Sequence, residues 1–341
     1  MKPISLLFMF YFFSELRWLR CFSVMLCGVL CLVSGATWAQ NFPAKPLSLI
    51  VPTAPGGPVD LTARMVANEL AGVLGQRIVI INKPGASQKI GMETLLNSPR
   101  DGYTFAACSG ASMTINPAMD KSIGYDPIKD FVMLANGMEN IRVLVVNPNV
   151  PAKTLSELVA YARANPGKLT YGSGGNGSTL QFSSASFLSK AGIDVLHVPY
   201  KSSGPALMAL LAGEISMLMP DIGDASSYIS NGNLVAIATT GNSRSDKLPN
   251  VPTVAEVGLP ELKNWNYSSW IGFVAAQGIP AEAASKLQAS LVNVLHTPKM
   301  REAFEKIGAT ALGTPSDQFL ARVKEELEVN QKLVSSGKVK P

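Results

Sequence analysis

The stretch Leu47–Arg64, LSLIVPTAPGGPVDLTAR, decides the fold that we predict for this chain. Its first five residues are apolar and end in a β-branched pair, which is typical of a buried strand, and Pro52 ends that strand because it lacks an amide hydrogen. Gly56 and Gly57 then allow a tight loop, and Pro58 suits the first turn of a helix. A strand, a glycine loop and a helix N-terminus together offer backbone N–H groups to an anion. A tight connection without a ligand explains the stretch equally well.

The N-terminus has the pattern of a cleavable secretory signal peptide. Arg17 and Arg20 precede the apolar run Cys21–Val33, and small residues lead to a cleavage site after Ala39. The run is short for a membrane-spanning helix, which needs roughly 20 residues; an uncleaved anchor is the alternative. Three of the 4 cysteines lie in this segment, so only Cys108 remains in the mature chain. Export without disulfides predicts a periplasmic protein that is stabilised by its core.

Length and charge limit the possible functions. The chain has 341 residues and a formal net charge of +5, and the part after Ala39 is long enough for two domains. Its positive charge is mild and includes no basic run interleaved with aromatic residues, so we expect no nucleic-acid partner. Such a charge is compatible with an anionic ligand.

Strands and helices alternate along the chain, which predicts an α/β protein with parallel sheets. The predicted strands span 47–51, 77–82, 103–108, 142–147, 169–171, 195–200, 215–219 and 234–239. Helices lie between them, and one begins with a capping box of Thr154 and Glu157. We expect an irregular stretch at 113–141, and C-terminal helices at 281–295 and 318–334.

Two points in the sequence indicate the domain boundaries. The strand at 142–147 leads into a second β–α alternation, and the proline-containing segment at 249–252 marks the return. We therefore predict a signal peptide at 1–39, domain I at 40–143 plus 248–341, and domain II at 144–247. Each domain is expected to be a mostly parallel sheet flanked by helices.

Few residues are suited to catalysis or to binding a cofactor. The two histidines, His197 and His296, share no metal-ligand spacing, and Cys108 lies in a predicted buried strand. The segment 172–177 matches a dinucleotide fingerprint, but Asp194 precedes its strand, whereas a ribose-binding acid should follow it. We therefore predict neither a cofactor nor a metal.

A second strand–glycine loop–helix arrangement occurs at 172–178. If one loop belongs to each domain, the two helix N-termini face each other across a cleft, and their amides can hold a dicarboxylate. Hydroxyl donors are available nearby. They belong to Thr53, Ser112, Ser173 and Ser178.

Eight short motifs follow one another from about Phe42 to the C-terminus. They are 51–60 with 63–64, 82–86 with 90–91, 99–104, 125–131, 171–178, 197–201, 204–206 and 249–256. In this order they resemble the Bug-type extracytoplasmic solute receptors of tripartite tricarboxylate transporters. One motif departs from the family pattern, because Ser87-Gln88 stands where the family usually has Gly-Gly.

The resemblance implies a two-domain periplasmic binding protein of the Venus-flytrap type. Such a protein, expected to be a monomer, captures a small carboxylate between its domains and delivers it to integral membrane permease subunits. The candidate ligand-binding residues are Thr53, Ala54, Pro55, Gly56, Gly57, Asp60, Ser109, Ser112, Ser173, Gly174, Asn176, Gly177, Ser178 and Asp221. The alternatives are a ligand sensor for a regulatory membrane protein and an exported enzyme; the absence of a base–nucleophile pair in the sequence favours a receptor over an enzyme.

We expect neutral donors, rather than a basic side chain, to recognise the carboxylate. The two glycine loops contain no basic residue. Arg64 lies four residues after Asp60 and can pair with it on one helix face. Lys83 and Lys201 each follow a strand, and we expect both to face solvent.

Overall fold

The structure, a computed structural model, describes residues 42–241, 243–263 and 265–339. The predicted signal peptide lies outside these ranges. Among the described residues, none of the helices combines the length and the hydropathy that a membrane span requires.

Strands and helices alternate as the sequence predicts. The strands are β1 (Leu47–Val51), β2 (Ile78–Asn82), β3 (Thr104–Ser109), β4 (Phe131–Asn140), β5 (Val143–Val146), β6 (Thr170–Ser173), β7 (Leu196–Pro199), β8 (Met217–Leu218), β9 (Val235–Thr239), β10 (Ser269–Ala276) and β11 (Thr310–Thr314). The helices are α1 (Pro58–Leu74), α2 (Lys89–Leu96), α3 (Asn116–Met119), α4 (Leu155–Ala164), α5 (Thr179–Ala191), α6 (Ser203–Ala212), α7 (Ile222–Ser230), α8 (Ala281–Leu295), α9 (Pro298–Lys306) and α10 (Ser316–Ser335). Short helical turns occupy Ala86–Gln88, Ala111–Ile115, Ala255–Val257 and Pro260–Leu262.

The strands form two sheets, which confirms the predicted α/β class with two sheets flanked by helices. The first has the order β11-β4-β10-β3-β1-β2 and the second the order β7-β6-β8-β5-β9. Both sheets are mixed rather than mostly parallel. In the first, β1 is parallel to β2 and β3, whereas β10 is antiparallel to β3 and β4. In the second, β6 is parallel to β7 and β8, whereas β5 is antiparallel to β8 and β9.

Strand β4 lies in the stretch that we expected to be irregular, so this prediction was wrong. Its polar residues, including Asn136 and Glu139, interrupt the apolar pattern by which a strand is recognised. Both are buried. Glu139 accepts hydrogen bonds from Ser268 Oγ and, at 3.1 Å, from Arg322 Nη1. Buried polar groups need such partners, and these come from parts of the chain that a local pattern does not reveal. Strand β11 and helix α9 also lie outside every predicted element.

Local predictions elsewhere agree with the structure. Strand β1 and helix α8 have the expected bounds. The capping box is present, because Thr154 Oγ1 accepts from the Glu157 amide at 3.2 Å while a Glu157 carboxylate oxygen accepts from the Thr154 amide at 3.2 Å. Cys108 is buried in β3 and unpaired, and burial raises the pKa of its thiol.

The C-terminal helix α10 packs against the cores of both sheets. Phe319 and Val323, near its start, belong to a buried cluster with Trp270 of the first sheet. Leu333, near its end, belongs to the cluster formed around the second sheet. Between them, the hydroxyl of Tyr267 donates to Asn330 Oδ1 at 2.9 Å. This helix therefore helps to position the two sheets on either side of the cleft described below.

Replacement of Gly272 in β10 by Ala is expected to destabilise the protein. The added Cβ would lie 2.4 Å from Phe319 Cζ in α10 and 3.1 Å from the carbonyl oxygen of Ala135, and overpacking of this kind costs about 1–3 kcal/mol. The matched control is Gly72→Ala in α1, where no described heavy atom lies within 4 Å of the new Cβ. This control should gain about 0.5–1 kcal/mol. Urea unfolding followed by circular dichroism measures both changes, and an unchanged midpoint for Gly272→Ala would contradict the packing argument.

Candidate functional site

A cavity of about 510 Å³ lies between the two sheets and takes residues from both. Cavities of this volume suit small-molecule ligands. Its lining includes Thr53, Gln88, Ser109, Arg142, Gly174, Ser178, Lys201, Asp221 and Glu326.

The structure brings some of the predicted site residues into this cavity and places others outside its lining. Those that line it are Thr53, Ser109, Gly174, Ser178 and Asp221. Those outside the lining are Ala54, Pro55, Gly56, Gly57, Asp60, Ser112, Ser173, Asn176 and Gly177. The contacts of the second group show that several of them build the loops rather than face the cavity.

The first glycine loop is ordered by a carboxylate of the protein itself, that of Asp60. Asp60 is buried and accepts hydrogen bonds from the Gly56 amide at 2.9 Å, from Arg64 Nε at 2.8 Å and from Asn82 Nδ2 at 2.8 Å. These bonds, above all that from Arg64, lower the pKa of Asp60 to about 2. The predicted pairing of Arg64 with Asp60 is confirmed. The left-handed residue of the loop is Gly56, with φ of 90°, whereas Gly57 has φ of −80°.

Three of the predicted hydroxyl donors are already engaged within the protein. Ser112 Oγ donates to the Ser109 carbonyl and accepts from the Ser109 amide, both at 3.1 Å. Ser173 Oγ accepts from the Gly175 amide at 3.1 Å, and Ser178 Oγ donates to the Gly175 carbonyl at 2.7 Å. Ser112 and Ser173 are fully buried, so they shape the loops and do not reach the cavity.

Thr53 differs from the other candidates because its hydroxyl group makes no hydrogen bond within the described residues. Its Oγ1 atom is buried, has no hydrogen-bond partner among the described residues, and belongs to a residue that lines the cavity. A buried polar group without a partner is costly. The hydroxyl therefore has unused hydrogen-bonding capacity at the cavity wall, and a rotation of the side chain would present it to a ligand.

The N-terminus of α1 adds backbone donors beside Thr53. Val59 lines the cavity in the first turn of this 17-residue helix. First-turn amides have no intrahelical acceptor, and the helix dipole is positive at this end. Across the cleft, Thr179 begins α5 and also lines the cavity. Both helix N-termini therefore border the cleft, as the sequence predicts for an anion site.

Arg142 is a site residue that the sequence analysis did not identify. It lines the cavity, is 5% exposed, and donates to the Thr179 carbonyl at 3.0 Å, to Thr179 Oγ1 at 2.9 Å and to Asp221 Oδ1 at 3.2 Å. Its position directly before a buried apolar strand is the one local signal, because a cation there must find partners. Lys201 also lines the cavity and is exposed, whereas Lys83 does not line it.

Acidic side chains line the cavity together with the basic ones, so the cavity wall carries charges of both signs. Asp221 accepts from Arg142, and Glu326 of α10 also lines the cavity. Glu326 accepts from Thr114 Oγ1 and from Trp270 Nε1, each at 2.7 Å, and burial raises the pKa of its carboxyl. The charged residues at the cavity are therefore of both signs, with Arg142 and Lys201 as the cations.

A hydrogen-bond network around His197 holds the second glycine loop. Nε2 of His197 lies 2.6 Å from Ser173 Oγ, and Nδ1 lies 3.2 Å from Nε2 of Gln181. Oε1 of Gln181 accepts from the Gly177 amide at 2.7 Å. Because the Gln181 amide nitrogen donates to Nδ1, this network requires a neutral ring with its proton on Nε2. Burial lowers the pKa of His197, in agreement with a neutral ring.

A ligand-sized cleft between two α/β sheets, bordered by two helix N-termini, is the architecture of a two-lobed solute-binding protein. The chain matches the model of the tripartite tricarboxylate transporter family receptor over residues 62–337. It belongs to that receptor family.

Similar proteins support this assignment. BugT of Bordetella pertussis is 32% identical over 297 residues, covering 87% of this chain and 90% of that protein. A Rhodopseudomonas palustris protein solved with adipate is 28% identical, with a TM-score of 0.67 over 88% of this chain and 99% of that one. MatC of Rhodopseudomonas palustris, solved with bound malate, is 28% identical, with a TM-score of 0.64 over 86% of this chain and 99% of that one.

Stability should decrease as pH falls through the titration of His197. Its folded-state pKa is below the unfolded value of about 6.5, so between the two values the unfolded state binds more protons and the free energy of unfolding decreases as the pH is lowered. His197→Gln keeps a donor for Ser173 but cannot titrate, so its melting temperature should depend less on pH between about 5 and 8. Equal slopes for wild type and His197→Gln in calorimetry would contradict the network.

Proposed function

We propose that this chain is an exported receptor that captures a small carboxylate in its cleft and delivers it to the membrane permease subunits of a tripartite tricarboxylate transporter. Its family membership supports the receptor role, and the relatives solved with adipate and malate support the ligand class. The observation that carries the proposal is the unpartnered Thr53 hydroxyl beside the N-terminus of α1, in a cavity that the second sheet closes.

The cleft offers a dicarboxylate two sets of donors. One carboxylate is proposed to bind Thr53 Oγ1 and the first-turn amides of α1, where the helix dipole favours an anion. The other is proposed to bind beside Arg142 and the N-terminus of α5. Because Arg142 already pairs with Asp221 and Thr179, its remaining N–H groups add donors without leaving an unpaired charge in the empty cleft.

The same proposal includes the domain organisation and the export route. Domain I comprises 40–143 plus 248–341 and domain II comprises 144–247, a division supported by the strand content of the two sheets. The segment 1–39 is a signal peptide that is cleaved after Ala39, which delivers the chain to the periplasm. The receptor works as a monomer and needs neither a cofactor nor a nucleic acid.

An enzymatic role has one observation in its favour, the short contact between Ser173 Oγ and His197 Nε2. A serine nucleophile must reach its substrate. Ser173 has no exposed surface, and its hydroxyl is bonded to the Gly175 backbone in the loop. We therefore propose that the pair is structural and that the chain is not an enzyme.

A thermal-shift screen tests the proposed ligand class. Malate, adipate, citrate, glutamate and benzoate are compared with the dimethyl ester of malate, which has the same carbon skeleton but no carboxylate. A carboxylate present at 100 times its Kd should add about 2.7 kcal/mol to the free energy of unfolding. No stabilisation by any carboxylate, or equal stabilisation by the ester, would contradict the proposal.

The role of Thr53 is tested with two substitutions and a matched control. Thr53→Val should weaken carboxylate binding by about tenfold or more, because it removes a hydrogen bond to a charged group, while Thr53→Ser should stay within about threefold. Thr62→Val removes another buried hydroxyl without a partner, also near the start of α1 but outside the cavity lining, and should leave affinity unchanged. Isothermal calorimetry measures all three. Equal affinities for Thr53→Val and wild type would exclude a ligand contact at this hydroxyl.

A further inference from the structure

The turn before α2 has an unusual backbone conformation. Ala86, Ser87 and Gln88 all have positive φ, at 44°, 51° and 82°. Residues other than glycine disfavour this left-handed region because their Cβ atom is crowded by the backbone. Such strain persists only where the surrounding structure imposes it. Here the Gln88 amide donates to the Gly85 carbonyl at 3.0 Å, and Asn116 Nδ2 donates to the Ser87 carbonyl.

The strained turn places the side chain of Gln88 at the cavity. Gln88 lines it, and its Oε1 accepts from Ser109 Oγ at 3.0 Å. Ser109 is itself buried at the end of β3. With Oε1 fixed in this way, the Nε2 group of Gln88 keeps two N–H donors, and no acceptor for them is present among the described residues.

Sheet topology explains why Gln88 and Thr53 share one wall. Strand β1 pairs in parallel with both β2 and β3. Thr53 follows β1, Gln88 follows β2, and Ser109 ends β3. The carboxyl ends of parallel neighbours meet at one sheet edge, which is where α/β proteins bind ligands. Gln88 is therefore positioned beside the donors that we assign to the first carboxylate.

We propose that Gln88 is a ligand-binding residue: its side-chain Nε2 group donates to a carboxylate of the ligand. This inference rests on the proposed function. It gives a physical reason for the strained turn, because in this conformation the Gln88 side chain contacts Ser109 and lines the cavity.

Affinity, rather than stability, separates a ligand contact from a structural role at this position. Gln88→Gly relieves the positive φ but also removes the acceptor of the buried Ser109 hydroxyl, so we expect no net gain in the melting temperature. Binding of malate and of adipate should weaken by about tenfold, because a donor to a charged group is lost. Ser87→Gly is the matched control, because Ser87 is exposed and outside the cavity lining. It should raise the melting temperature by about 2 °C or more and leave both affinities within about twofold.

Calorimetric titration of wild type and both variants with malate, adipate and any other carboxylate that stabilises the wild type decides between the outcomes. Weaker binding by Gln88→Gly, together with an unchanged affinity in Ser87→Gly, supports the assignment. Unchanged affinities in Gln88→Gly would overturn it and leave the proposed function intact, whereas a wild type that binds no carboxylate would overturn both.

Discussion

The geometry of the cleft depends on the hydrogen bonds made by the buried guanidinium of Arg142. Arg142 lies where the chain crosses from the first sheet to the second, and its backbone exchanges hydrogen bonds with Thr240, where the chain crosses back. Its side chain reaches the N-terminus of α5 at Thr179 and the start of α7 at Asp221. A buried charge that loses its partners is strongly destabilising, so these four segments must keep their relative positions. The second wall of the cavity is thereby fixed at the crossing point.

The two glycine loops are prepared for a ligand in different ways. In the first, the internal carboxylate of Asp60 binds the Gly56 amide, so the loop is ordered without a ligand. In the second, the neutral ring of His197 connects Ser173 and Gln181, which hold the loop amides. Such preorganisation reduces the entropy that a ligand must remove on binding. We propose that recognition rests on groups that remain without partners at the cavity wall, such as the Thr53 hydroxyl.

The sequence predicted the elements whose signals are local and missed the features that depend on distant partners. Strand β1, the loop after it and the capping box at Thr154 follow from nearby residues, and the ordered motifs indicated the receptor family. Strand β4 was missed because its buried Glu139 is satisfied by Arg322, which is 183 positions away in the sequence. Arg142 was missed for a similar reason, since its partners come from α5 and the loop before α7. Whether a serine faces the cavity or the loop backbone, as for Ser173, is likewise decided by tertiary hydrogen bonds.

A crystal structure of the chain with malate or adipate tests the proposed binding mode most directly, because the dicarboxylate is proposed to bridge the two walls of the cleft. We expect an oxygen of one carboxylate within hydrogen-bond distance of Thr53 Oγ1 and of the first-turn amides of α1, and the other carboxylate in contact with residues that begin α5. A ligand that contacts only one of the two walls, or that binds outside the cavity at Thr53, would contradict it.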